Sequence, residues 1–65
     1  MRLNELRDFV SGDLIAQFDG PVPTKDSIIQ TAIGAGPNVT HYQVMHLVYM
    51  VANGGSWAEV HVKKC

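Results

Sequence analysis

The sequence predicts a small α+β domain, with three helices at about 3–18, 24–33 and 40–53 and a short sheet joining 21–23 to 57–63. Three observations carry this prediction. Apolar residues recur at helical spacing in three stretches separated by Gly- and Pro-rich breaks. From Trp57 the pattern switches to a period of two. No Asp, Glu, Lys or Arg stands between Asp26 and Glu59, so the middle of the chain must be covered by its own fold, by a twin or by a partner.

In the first segment Leu3, Leu6, Val10, Leu14 and Phe18 fall near one helical face. Asn4 is placed to cap this helix and Asp19-Gly20 to end it. Ser11-Gly12-Asp13 interrupts the pattern. A mid-helix Gly costs about 1 kcal/mol against Ala, and Ser11 offers a cap for a second short helix instead. Phe9 and Ile15 lie off the stripe. Pro21-Val22-Pro23 is extended, because a residue before Pro is pushed out of the helical region, and it suits a minimal edge strand. Thr24 then caps a helix with Asp26 in its first turn, where a negative charge suits the dipole. Ile28, Ile29, Ala32 and Ile33 form its face and Gly34 closes it.

The run Gly34-Ala35-Gly36-Pro37-Asn38-Val39 reads as a turn. Thr40-His41-Tyr42-Gln43 fits a capping box, and Val39 with Val44 fits a hydrophobic staple. The helix that follows stops at Asn53-Gly54-Gly55. At about 100° per residue, Val44, Leu47, Val48 and Val51 centre one face, while Tyr42, Met45, His46, Tyr49 and Asn53 lie opposite. In the last segment Ala58, Val60 and Val62 share one side of a strand, and Trp57, Glu59, His61 and Lys63 the other.

With 65 residues the chain has room for a single domain, residues 1–65. Such a domain hides only about 60% of the surface its unfolded chain exposes, so a second subunit or a partner is the expected support, and a homodimer is expected. One cysteine excludes an internal disulfide. Three histidines and one cysteine without short ligand spacings give no zinc set; no metal and no cofactor is expected. The six carboxylates are scattered and the serines have no nucleophile elbow around them, so no catalytic residue is assigned and the chain is not expected to be an enzyme. No signal peptide is legible at Leu3-Asn4-Glu5, and no apolar run reaches the roughly 20 residues of a membrane helix. A cytoplasmic protein without membrane contact or small-molecule substrate is the expectation.

Pro23-Thr24-Lys25-Asp26-Ser27-Ile28-Ile29, the turn Pro37-Asn38-Val39-Thr40, the ladder Val39, Val44, Leu47, Val48 and Val51, and Gly55-Ser56-Trp57-Ala58-Glu59-Val60 together resemble the winged helix-turn-helix domains of small bacterial and phage regulators. The resemblance implies that the 40–53 helix is a recognition helix. Asn38, Thr40, His41 and Gln43 would then meet base edges, and Lys25, Lys63 and Lys64 would meet phosphates. It makes a sequence-specific DNA-binding transcription regulator the alternative function. Charge weighs against it. The net charge is −1 and the helix carries no Lys or Arg, whereas phosphate neutralisation supplies essentially all nonspecific DNA affinity. Tyr and Met are enriched at protein interfaces. The first expectation is therefore a small regulatory protein, a phage-type regulator or inhibitor of a larger host protein, that binds a protein partner or itself through Tyr42, Met45, His46, Tyr49 and Asn53.

Overall fold

The computed structural model describes residues 3–32 and 39–65. It is all-β: β1 (Asn4–Asp8), β2 (Leu14–Phe18), β3 (Ile28–Thr31), β4 (Thr40–Ala52) and β5 (Gly55–Lys64). They form one curled, half-barrel sheet in the order β2-β1-β5-β4-β3. β1 and β5 run parallel at its centre, and every other neighbouring pair is antiparallel.

The α+β, three-helix expectation is overturned, and the winged helix-turn-helix resemblance with it. That motif needs helices, and none occurs among the described residues. Where a helix was expected over 3–18, two strands meet at a turn. The Asp8 carboxylate accepts the N–H groups of Val10 (2.8 Å) and Ser11 (3.1 Å), and Gly12 donates to the Asp8 carbonyl at φ +80°. A left-handed Gly is what such a turn requires. Ile15, which the helical stripe left out, is the extra residue of a β-bulge and packs on the core. Over 24–33, Thr24 closes a turn and caps no helix: Ser27 donates its N–H to the Thr24 carbonyl (3.2 Å), and Asp26 takes φ +70°. The β-branched Ile28, Ile29 and Thr31 then continue as strand. The expected end of that helix, Ile33 and Gly34, lies outside the described residues. Pro21-Val22-Pro23 is not paired into the sheet but belongs to the loop between β2 and β3.

The expected 40–53 helix is β4, the longest strand. Its pairing with β5 slips by one residue between Val44 and His46, which leaves Met45 as the bulge. Before the slip Tyr42 and Val44 face the concave side; after it Leu47, Tyr49 and Val51 do. The step from 44 to 47 imitates one helical turn, although every other step along that side is two. Asn53-Gly54 then turns the chain into β5. β5 covers 57–63 with Ala58, Val60 and Val62 buried, following the alternation in the sequence.

The core lies on the concave side of the three central strands. Leu6 (β1), Val44 (β4), and Val60 and Val62 (β5) form one buried cluster, with Ile29, Phe18, Tyr42 and Leu47 packed around it. Val60 sits in register between Leu6 and Leu47.

Candidate functional site

A curled sheet that stops short of closing leaves a trough between its edges. Among the described residues, β2 and β3 have no strand on their outer sides. Between them lies a cavity of about 450 Å³. Its floor is Leu6 and its walls include Ala16 and Phe18 of β2, Ile29 of β3 and the loop Pro21-Val22-Pro23. Gln17 pairs with Glu5 and Gln30 with His41 on the convex side, so strand alternation leaves them to offer the trough mainly backbone. Among the described residues, no charged one lines it. The two prolines lack an N–H, which keeps the loop wall poor in donors.

The second feature is an arm. β1 pairs with β5 only along 59–62, and β3 pairs with β4 only along 40–43. The β4–β5 hairpin runs on beyond both. Its concave side carries Tyr49, 66% exposed, and Val51, 86% exposed. A smaller groove of about 260 Å³ lies where the arm meets Asn4 and Val22; Asn4 Oδ1 accepts the Ala58 N–H there (3.0 Å).

Along β1 and the paired part of β5 the convex side is polar and internally paired. Glu5 and Arg7 of β1 lie in register with Glu59 and His61 of β5. Arg7 donates from Nε to Glu5 Oε1 (2.9 Å) and its Nη2 forms an ion pair with the same oxygen at 2.9 Å, and this offsets the burial of Glu5, which is only 8% exposed. Glu59 and His61 approach to 3.4 Å, and the His61 ring meets His46 edge-on with centroids 5.7 Å apart. Among the described residues no group of three His, Cys, Asp or Glu side chains is placed to hold a metal. At the β1–β2 turn, the N–H groups of Ser11 and Val10 hold the Asp8 carboxyl below its ordinary range.

The structure divides the expected partner-binding set. Tyr42 is half-buried on the concave side against the core, and Tyr49 is exposed on the same side of the arm. His46 faces the convex side, Met45 is the bulge, and Asn53 is in the hairpin turn. They share no helical face, because there is no helix. The expected DNA-binding set gathers at the opposite end of β4. Gln43 pairs with Lys63, Tyr42 with Lys64, and Thr40 with Thr31; Cys65 donates to the His41 carbonyl, and Lys25 precedes Asp26, whose N–H reaches the Val44 carbonyl. Asn38 lies outside the described residues. A strand replaces the recognition helix, so the groove-reading geometry expected of Thr40, His41 and Gln43 falls away. Leu6, Phe18 and Ile29, which build the trough, were expected only as helix-core residues. The alternation of Leu14-Ile15-Ala16-Gln17-Phe18 is broken by its bulge, so periodicity carried no signal for them.

No family model matches the chain, and no curated protein or solved structure matches it either.

Proposed function

We propose that the protein works by protein–protein contact, taking an extended segment of a partner protein into the trough between β2 and β3. One observation carries the reading: an apolar trough, uncharged among the described residues, is flanked on both sides by strands whose outer edges no other described strand covers. A peptide laid along such an edge gains main-chain hydrogen bonds from the edge and seats alternate side chains in the apolar floor. Phe18 and Ile29 are the contacts that select apolar side chains. The lining carries no charge among the described residues, which selects an uncharged segment, since a buried unpaired charge is costly. A contact confined to the trough belongs to the small, transient class of interfaces, below about 1,200 Å². Occupying a strand or segment that the partner needs elsewhere gives such a protein a regulatory or inhibitory effect.

The test is affinity capture with mass spectrometry, comparing the natural chain with Phe18→Ser and Ile29→Thr. Both residues are only partly buried, and circular dichroism verifies that each variant keeps its sheet. The reading expects a captured protein to be lost with both variants. A partner retained equally by both folded variants would overturn it.

A further inference from the structure

The arm of β4 carries a second inference, independent of the trough. Residues 47–52 read Leu-Val-Tyr-Met-Val-Ala and, among the described residues, are paired on one side only, with β5. On the other side β3 stops. Its pairing ends at Gln43, and the last backbone bonds across that edge join Val44 to Ser27 and Asp26. Natural sheets protect an open edge with charge, proline, a bulge within it or a covering segment. This edge has no charge and no proline, and its bulge at Met45 comes before it. Both of its faces are apolar: Leu47, Tyr49 and Val51 on the concave side, Val48 and Met50 on the convex.

We infer that the occupant of this edge is a second copy of the same chain, paired antiparallel about a two-fold axis through β4. The edge is its own complement, because a two-fold axis places each residue opposite one from the same strand. Like charges directly opposite each other destabilise a strand pair, and along 47–52 there are none to meet. The buried hydrophobic set among the described residues is also small, namely Leu6, Val44, Ala58, Val60 and Val62, so the fold gains from further burial wherever copies of the chain meet.

The register is restricted. Opposed residues in a sheet lie on the same face, so the residue on the axis faces its own copy. An axis at Val48 would set Ala52 of the second copy against Val44, whose N–H and C=O are already bonded to Ser27 and Asp26. An axis at Val51 would leave only the last few residues before the turn paired. Two registers remain. With the axis at Tyr49, the tyrosines meet and Leu47 opposes Val51 of the second copy. With the axis at Met50, the methionines meet and Tyr49 opposes Val51 of the second copy. In both registers Tyr49 and Val51 are covered and the trough stays open.

The test measures solution mass and cross-linking. Light scattering or sedimentation should give twice the chain mass of 7.1 kDa at micromolar concentrations. Val51→Lys changes a side chain that is 86% exposed in the single chain, so its circular dichroism should be unchanged while dimer affinity falls at least tenfold. With Cys65→Ser to remove the only thiol, either Tyr49→Cys or Met50→Cys should form an intermolecular disulfide on mild oxidation, and the one that does identifies the axis. A monomer at hundreds of micromolar overturns the inference. So does a dimer that survives Val51→Lys and cross-links through neither position. The trough variants Phe18→Ser and Ile29→Thr should leave the dimer intact, so this result stands or falls apart from the proposed function.

Discussion

Truncating two valines of β4 separates strand from helix. On a helix, Val44 and Val51 are seven apart and share one face. In the sheet, the bulge at Met45 and the end of the core intervene: Val44 is 0% exposed and Val51 is 86% exposed. Val44→Ala removes two buried methyl groups. At about 0.8 kcal/mol each, the transfer loss is about 1.6 kcal/mol, and a cavity that the sheet cannot fully close raises it to about 2–3 kcal/mol. A domain of this length has about 3–10 kcal/mol in total, so the loss is a large share of it. Val51→Ala should cost less than about 0.5 kcal/mol, as surface changes do. The assay is urea unfolding followed by the fluorescence of Trp57, at protein concentrations too low for self-association to add stability. With a slope near 1 kcal/mol per molar urea, Val44→Ala should lower the midpoint by about 2–3 M and Val51→Ala should leave it in place. Equal losses at the two positions would refute the strand assignment of 40–52.

Two further outcomes follow from the turn and the convex face. The Asp8 carboxyl is held below its unfolded value by the Ser11 and Val10 N–H groups. Its contribution to stability is therefore fully present above the unfolded pKa of about 3.9 and is lost as pH falls through the folded value; Asp8→Ala should remove that part of the acid dependence in an unfolding series from pH 6 to pH 2. Arg7→Met leaves Glu5 buried without its cation and should cost about 1–3 kcal/mol, whereas Glu5→Leu combined with Arg7→Met should cost less than Arg7→Met alone, read from a double-mutant cycle of denaturation midpoints.

The last strand was legible because nothing interrupts its alternation from Trp57 to Lys63. β4 was not, and three local features misled in the same direction. The bulge at Met45 put a step of three into a period-two pattern. Thr40 and Gln43 stood at the spacing of a capping box, yet Thr40 lies in a strand opposite Thr31. Asn53-Gly54 fits a helix stop, although Asn-Gly between apolar runs is also the strongest short-range signal of a hairpin. Composition pointed the other way: Val39, Thr40, Tyr42, Val44, Val48, Tyr49 and Val51 are β-branched or aromatic, the types enriched in strands. In the first segment, Ser11-Gly12-Asp13 marked the turn that the helical stripe overrode. The trough was beyond local reading. Leu6, Phe18 and Ile29 share no sequence window and meet only because the sheet curls around the parallel pairing of β1 with β5.

That parallel pairing also sets the order in which the molecule can assemble. The β1–β2 and β4–β5 hairpins are local, and hairpins close in about 1–10 μs. Joining them requires residues 5–8 to find residues 59–62, across a separation illustrated by the bond between Asn4 and Ala58, 54 positions apart. Non-local pairing of this kind slows folding towards the millisecond-to-second range. Until it happens, Leu6 and Val60 have no cover and the edge of β5 along 59–62 is open to any strand nearby. The step that completes the core is therefore also the step that closes that edge.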